Sequence, residues 1–454
     1  MQDIITNDIE KIEKKKNIFK IKNWSRGLNQ GGGEFRIFEN GKIFEKVGVN
    51  FSEVYGKFPK KFKGQIPGTK KNSNFWASGI SVEMNFSVDK NQLLKHLSYT
   101  QGVVDSKSTM IILSHILFSA KDGKLFLSST DLESSTHTSL PINIIEPGDV
   151  CLPAKKILDI IDKIPDKDIK ISKNNSNQIE IDYKKGKTKI KCLPAEDFPQ
   201  IPKPDDFVYT AIKSQMLNDL IQKTSYSIGS DDLRKNLTGI FFDMTNNKKI
   251  KLVSTDGHRM STVEDEFENN SQIESFLLSK KAATELKKFA LESEVVQIGT
   301  NKNFFICDNG QTSILSRLID VKFPDYAQVV PSAKTNTFRV DRNDMLSLLQ
   351  RVSVVLSEKT KGARISIGPQ ELEIKTTSDD GETTELISIK ERASELTDAV
   401  LEVGFNVRYL IDALSSFAEE EVSVCINDEV SPACIYSEQE GEIKQLAVIM
   451  PMRV

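Results

Sequence analysis

Histidine, cysteine and tryptophan are scarce: 454 residues hold four, five and two of them. The histidines (His96, His115, His137, His258) form no HExxH or HxxxH pair, so no local metal frame is present. The cysteines (Cys151, Cys192, Cys307, Cys425, Cys434) are odd in number and contain no CxxC. That pattern fits reduced thiols and argues against a disulfide scaffold or structural zinc. No GxxxxGK[ST] loop cradles a nucleotide, and no GxGxxG opens a helix. No apolar run approaches the roughly 20 residues of a membrane span. The opening MQDIITNDIEKIEKKK has no apolar core ahead of a cleavage site. These absences predict a soluble, cytoplasmic protein without cofactor, metal or membrane contact.

What is present is an ordinary globular balance, 38% apolar and 28% charged, in a length suited to about three domains. The net charge of −3 is a sum of unlike parts. Residues 1–83 hold 16 Lys/Arg and 9 Asp/Glu, a balance of +7; the other 371 hold 45 and 55, a balance of −10. The first part also has both tryptophans (Trp24, Trp76) and the Gly31-Gly32-Gly33 run. A boundary is expected near Met84, which could itself serve as a start.

Beyond Met84 the chain repeats. Three openings couple a strand to an amphipathic helix: FSVDKNQLLKHL from Phe86, FVYTAIKSQMLNDLI from Phe207 and FRVDRNDMLSLLQRV from Phe338. Paired strands follow (ILFSAKDGKLFLSSTD, GIFFDMTNNKKIKLVSTDG, ISIGPQELEIKTTSDDG), with Asp122-Gly123 and Asn246-Asn247 suited to the positive φ of tight turns. A second strand–helix comes next (VCLPAKKILDIIDKI, FLLSKKAATELKKFA, LEVGFNVRYLIDALSSFA), and a closing hairpin ends each copy. The openings lie 121 and 131 residues apart, the length of a domain rather than of a solenoid unit. An α+β fold is predicted: three tandem units, each with two helices on antiparallel sheet. The stripes Met216/Leu217/Leu220/Ile221 and Ile157/Leu158/Ile160/Ile161 should face that sheet.

Charge separates along the same lines. The six helical stretches (89–99, 153–164, 212–224, 279–289, 339–351, 406–417) sum to +7, leaving −17 on the rest of 84–454. Solvated helix surface explains each stretch alone; together they suit a surface for a polyanion with an acidic exterior. Asp131 and Asp256 share an STD context that suits a turn-forming role. Thr255-Asp256-Gly257-His258-Arg259 lacks a partner base or nucleophile, so it is not a catalytic signature. The tail Val448–Val454 is almost wholly apolar, and Pro451 must interrupt a strand ladder there. The residues after it can line a groove, and methionines suit adaptable peptide-binding surfaces.

LPAEDFP (193–199), TDGHRM (255–260), KFPDY (322–326), VGFNVRYLIDAL (403–414) and the MPMR tail together resemble the bacterial DNA polymerase III β subunit, the sliding-clamp family, over 84–454. The resemblance implies clamp domains at 84–204, 205–333 and 334–454 that close as a head-to-tail homodimer into a six-domain ring. It further implies a non-enzymatic processivity factor of the DNA polymerase III holoenzyme that encircles duplex DNA without sequence preference. Twelve lining helices about 10 Å apart would leave an opening of about 28 Å. Implied partners are the replicative polymerase's catalytic subunit, the clamp loader, other DNA polymerases and mismatch-repair proteins.

Residue by residue, the resemblance implies a partner-peptide cleft of Leu237, Thr255, Gly257, His258, Arg259, Met260, Pro324, Val329, Val430, Val448, Met450, Pro451, Met452 and Arg453. The DNA-facing residues would be Lys95, Lys107, Lys155, Lys156, Arg234, Lys235, Lys280 and Lys281. Subunit contact would pair Ile190 with Val354 and Val355, as antiparallel strands at two sheet edges. The chain departs from the family at Lys235-Asn236, where a relative has two tyrosines, and at Pro432, which replaces a small polar rim residue.

Residues 24–58 (WSRGLNQGGGEFRIFENGKIFEKVGVNFSEVYGKF) and 75–81 (FWASGIS) resemble the start of oxygen-dependent coproporphyrinogen oxidase. The histidine-bearing catalytic portion of that enzyme has no counterpart, since residues 1–83 contain no histidine. A vestigial, poorly ordered and non-catalytic segment is expected there, because a piece of a larger sheet lacks most of its core.

Overall fold

The computed structural model describes residues 84–454, apart from 175–176, 203–205, 231–232, 270, 332–334, 358–360, 380, 393–399, 440 and 454, and the backbone of residues 20–26, 32–39 and 42–50. Residues 1–82 form one unit and residues 83–454 another. In the first, β1 (Lys20–Arg26), β2 (Gly32–Glu39) and β3 (Lys42–Asn50) pair in order as an antiparallel meander. The expected lack of order in residues 1–83 falls mainly on residues outside the described ones.

The second unit contains the three repeats, each with two helices: α1 (Lys90–Gln101) and α2 (Ala154–Lys163), α3 (Ser214–Thr224) and α4 (Lys280–Ala290), α5 (Arg342–Val355) and α6 (Val407–Ser416). Each helix starts directly after a strand. At four of the six starts a side chain caps the first turn: Asp89 accepts from the Gln92 N–H (3.0 Å), Ser279 from Ala282 (3.2 Å), Asp341 from Asn343 (2.9 Å) and Asn406 from Arg408 (3.0 Å). Such a cap contributes about 1 kcal/mol. The apolar stripes do face the sheets: Leu217, Leu220, Ile221, Ile157 and Ile161 are buried, with Met216, Leu158 and Ile160 partly so. Each repeat has its own core, and fully burying one such side chain is worth roughly 1.5–3 kcal/mol.

Turn chemistry follows the sequence at one hairpin and departs from it at another. Asp122 and Gly123 take φ of 52° and 73°, the double left-handed turn expected of them. Asn246-Asn247 uses no positive φ. Instead the Asn246 side chain accepts the Lys248 N–H (2.9 Å) and its carbonyl accepts the Lys249 N–H (3.2 Å).

The repeats join by strand pairing. In chain order the joining and edge strands are β4 (Ser134–Pro141) and β5 (Gly186–Lys191) in the first repeat, β6 (Arg259–Glu266) and β7 (Thr312–Arg317) in the second, and β8 (Gly381–Ser388) and β9 (Glu442–Ile449) in the third. β4 pairs antiparallel with β7, and β6 with β9, so sheets run unbroken through both junctions. β5 and β8 are left as edges. Behind the sheets the helices touch in a single row, α2–α1–α4–α3–α6–α5.

The first junction carries a buried polar seam. Thr138 Oγ1 lies 2.6 Å from both Thr312 Oγ1 and His96 Nδ1, and Ser134 Oγ lies 3.0 Å from Ser316 Oγ. Tyr99 donates to Glu292 (2.9 Å), which also binds Lys95, and Tyr99 packs into the second repeat's core. Burial, and then the Lys95 charge, lower the His96 pKa from 6.5 to about 4. The unfolded chain therefore binds the extra proton between these values. His96 contributes stability fully above pH 6.5, and loses it as pH falls toward 4. Its share of the slope should not exceed about 1.4 kcal/mol per pH unit. Denaturation midpoints of wild type and His96→Asn should converge over that interval; parallel curves would contradict a buried neutral imidazole.

Candidate functional site

The helix row presents its exposed side to one face, and the cations expected there fall into two groups. Lys107, Lys155, Lys156, Lys235 and Lys280 are exposed. Lys281 is committed: its ammonium donates to Asp131 Oδ2 (2.6 Å) and to the Val103 carbonyl (2.9 Å), tying α4 to the first repeat. Lys95 is paired with Glu292 across the same junction. Its pair is half exposed and so stabilises little, which leaves the lysine free to exchange partners at small cost.

Arg234 is exposed, and its guanidinium reaches the Thr255–Met260 turn: a methyl group added at Gly257 would stand 2.7 Å from Arg234 Nη1.

The turn itself is held by its own side chains. Thr255 Oγ1 accepts the Gly257 N–H (3.1 Å) and donates to the Arg259 carbonyl (2.7 Å). Asp256 Oδ1 accepts the His258 and Arg259 N–H groups (2.9 and 3.0 Å), the turn-forming role its context suggested; Asp131 does the same for Glu133 and Ser134 (3.0 and 2.6 Å). Gly257 has φ +89°, a left-handed conformation that favours glycine.

Against this turn lies the C-terminal tail. β9 ends at Ile449, two residues before Pro451, as the proline requires. The Met450 N–H then donates to the His258 carbonyl (2.9 Å) and the Met452 N–H to the Gly404 carbonyl (2.8 Å). Met450 and Met452 keep exposed side chains, 39% and 38%. Under them a second apolar cluster joins Val253, Met260 and Phe323 to Cys434, Tyr436 and Val448. Met260, Val448 and Leu237 are thus buried beneath the surface, not on it. His258, Pro324, Val329, Val430 and Arg453 are exposed; Thr255 and Pro451 are half-buried, as is the departing residue Pro432. Val430 crowns a loop in which Asp428 accepts its N–H (2.8 Å).

The Arg259 side chain reaches into the junction, onto Asp256, Asp412 and the Tyr226 carbonyl. Tyr226, Tyr409 and Asp412 were not singled out by sequence, since residues this far apart meet only through the fold.

Of the subunit-contact residues expected on two edge strands, Ile190 lies on one and Val354 and Val355 do not. Ile190 lies on edge strand β5 but its side chain is buried in the first core. Val354 and Val355 sit at the end of helix α5, not on a strand; Gly381, the first residue of edge strand β8, lies near the Val355 side chain, and Ser378 donates to the Val355 carbonyl (2.6 Å). Among the described residues no cluster of His, Cys, Asp and Glu could hold a metal, and no helix is long and apolar enough to cross a membrane.

Three paired repeats with helices on one side define the architecture of a DNA clamp, and comparison with known proteins agrees. Residues 84–202, 211–325 and 327–453 match the N-terminal, central and C-terminal domain models of the DNA polymerase III beta subunit. Residues 1–87 match the coproporphyrinogen III oxidase model. The beta sliding clamp of Pseudomonas putida is 28% identical over 377 residues, covering 82% of this chain and all of that protein. That of Haemophilus influenzae is 29% identical with the same coverage. The solved Caulobacter clamp (C. crescentus, with polyethylene glycol at a putative tethering region) aligns at TM-score 0.75 and 26% identity, covering 82% of this chain and 99% of its own. The Bartonella birtlesii clamp bound to griselimycin aligns at TM-score 0.76 and 29% identity, covering 82% and 100%. The chain belongs to the DNA polymerase III beta subunit family. Its function is that of a DNA sliding clamp, an accessory subunit of the polymerase and not an enzyme.

Gly257→Ala should lower the denaturation midpoint by the equivalent of about 1–2 kcal/mol, from its left-handed φ; the Arg234 Nη1 that the methyl would meet is the tip of a flexible side chain and can swing aside. Gly310→Ala, at φ +87° with nothing within 4 Å of the added methyl, should lose as much. A markedly larger loss at Gly257 would show that Arg234 cannot yield.

Proposed function

We propose that two copies of this chain, with domains at 84–204, 205–333 and 334–454, close head to tail into a cytoplasmic ring around duplex DNA. One observation carries this reading: the two internal junctions use the same register. Hairpin pairings Thr130↔Ser135, Thr255↔Met260 and Thr377↔Glu382 make β4, β6 and β8 equivalent. Pairings Ile181↔Thr188, Cys307↔Ile314 and Ile435↔Ala447 do the same for β5, β7 and β9. Thr136 then faces Ile314 just as Ser261 faces Ala447.

The two edges left over continue the rule. Carried to a second copy, it sets Thr383 opposite Thr188, Glu382 opposite Lys189 and Thr384 opposite Lys187. Strand β5 (GKTKIK) is basic and β8 (GETTELIS) acidic, so the pairing is complementary. Two such seams bury both edges. The exposed Lys155, Lys156 and Lys280 of helices α2 and α4, with Lys95 of α1, Lys107 from the segment after α1 and Lys235 from the short helix Lys235–Leu237, would meet phosphates without reading sequence.

The groove between the Thr255–Met260 turn and the Met450–Arg453 tail would take an apolar segment of the polymerase catalytic subunit, the clamp loader, other DNA polymerases or mismatch-repair proteins. Griselimycin, held by the Bartonella birtlesii clamp, is expected to bind there too. For residues 1–83 the reading is a vestigial segment of coproporphyrinogen oxidase with no catalytic role.

Glu382→Lys and Lys189→Glu should each raise the dimer dissociation constant about fivefold, and together restore it. Sedimentation that finds the double variant weaker than either single one overturns the register. Loaded onto nicked circular DNA by its clamp loader, the protein should be lost at moderate salt once the circle is cut. Equal loss from circle and linear DNA would leave an electrostatic binder that does not encircle. Deleting Met450–Val454 should abolish polymerase stimulation while dimerisation survives; full stimulation by the truncated chain overturns the cleft assignment.

A further inference from the structure

We propose that Cys425 and Cys434 are a site of reversible disulfide formation at the base of the loop that carries Val430. They lie on neighbouring antiparallel strands, Glu421–Cys425 and Ala433–Gln439, in a register that sets them directly opposite one another. Cross-strand partners send their side chains to the same face. Both are thiols in this structure, wholly buried in the apolar cluster that also holds Val448 and Met260. The direction of the backbone bonds fixes the type of pair. The Ile426 N–H donates to the Asn336 carbonyl on the far side (3.1 Å), so the backbone groups of Cys425 turn toward Cys434. Residues paired in this way stand about 5.5 Å apart at Cα, inside the roughly 4.4–6.8 Å that a disulfide spans. Cys307 faces Ile298 and Ile314, and Cys151 faces Leu117 and Leu193, so neither is opposed by a cysteine.

The pair stands where the sheet can open. Cys425 and Cys434 are the last residues paired before the loop 426–432, whose Val430 is 79% exposed. The Cys425 thiol donates to Asn427 Oδ1 in that loop (3.2 Å), and Asp428 accepts the Val430 and Ser431 N–H groups (2.8 and 2.6 Å). Burial shields both sulfurs, so reaction waits for the loop to lift. The oxidant is a small-molecule disulfide such as oxidised glutathione. The Cys425 thiolate attacks one of its sulfurs, and a first glutathione leaves as thiolate. The Cys434 thiolate then attacks the Cys425 sulfur, and the second glutathione leaves. Two electrons pass to the oxidant, and the two protein protons end on the two released thiols. Cross-strand Cβ atoms about 5 Å apart must close to about 3.8 Å, a strain that makes the bond easy to reduce again. Once formed, it ties both feet of the loop and restrains Val430. Only the bearing of that restraint on partner docking rests on the cleft reading above; the disulfide itself does not.

The test treats the full native chain with oxidised glutathione, blocks the remaining thiols with iodoacetamide in denaturant, and digests with trypsin. One peptide, residues 409–444, carries both cysteines. By mass it should lack both labels and be two hydrogens lighter than its thiol form, whereas the peptides of Cys151, Cys192 and Cys307 keep their labels. Dithiothreitol before blocking should restore both labels. Amide hydrogen exchange over residues 426–432 should slow several-fold in the oxidised chain and recover on reduction. Labels kept at both positions in the native chain overturn the proposal. A sample refolded from denaturant in the same oxidant then locates the error: label loss there alone shows that the loop does not admit the oxidant, and labels kept there too show that the pair cannot close. Glutathione retained on Cys425 beside a labelled Cys434 overturns the proposal as well. Unchanged exchange in a chain that has formed the disulfide overturns the restraint on Val430.

Discussion

Antiparallel pairing between repeats is the constraint on which the rest of this molecule depends. Two strand pairs, β4 with β7 and β6 with β9, convert three separate cores into continuous sheet. A strand presents its side chains alternately to two faces, so once the pairing is fixed the helices must stack on one side of every sheet. The row α2–α1–α4–α3–α6–α5 is the consequence. The groove follows as well: a turn that leads into β6 and a tail that leaves β9 are brought together because those two strands are neighbours.

The junctions are not held by apolar packing alone. The first is sewn by a buried chain of hydroxyls with His96 at its end, and by Lys281 on Asp131. The second is held by the Arg259 fork. Buried polar contacts of this kind add modestly to stability, since desolvation offsets most of the gain, but they punish a wrong register severely by leaving donors and acceptors unpaired. They therefore act chiefly to fix which strand meets which. A ring needs that fidelity, because a slip by one residue would turn every side chain of the shared strand to the opposite face.

The architecture was legible because the repeat could be read three times over, and because caps such as Asp89, Ser279 and Asp341 stand one residue before their helices. The turn roles of Asp131 and Asp256, and the end of the last strand before Pro451, also followed from local chemistry. What the sequence hid was the destination of long side chains. Lys281 and Arg259 look like surface cations ready for phosphate or peptide, yet each is drawn to a partner far away in the chain. A guanidinium reaches several ångströms and chooses among carboxylates that only the fold brings near, so periodicity and local spacing carry no signal for it. The placement of Val354 and Val355 failed for a simpler reason: apolar β-branched residues at the end of a helix look the same as the first residues of a strand.

The same hydrogen-bonding frame recurs at both junctions while the side chains on it differ, and that difference decides what each junction does. The Arg317 N–H donates to the Glu133 carbonyl (2.8 Å) as the Met450 N–H does to that of His258 (2.9 Å). On the first frame stand Leu132, at φ 76°, and the ion pair of Glu133 with Arg317. On the second stand Gly257, His258 and Met450. Leucine in a left-handed turn is strained and fills the space that glycine leaves open, and a Glu–Arg pair closes a rim that methionine leaves apolar. At the third repeat a span of the same length pairs one residue further, Ser378 with Gly381, so strand β8 begins directly at the turn. The equivalent turns are thus a closed strut, an open groove and a bare edge in the three repeats. Those are the three surfaces a sliding ring requires: a rigid internal joint, a docking place and a seam.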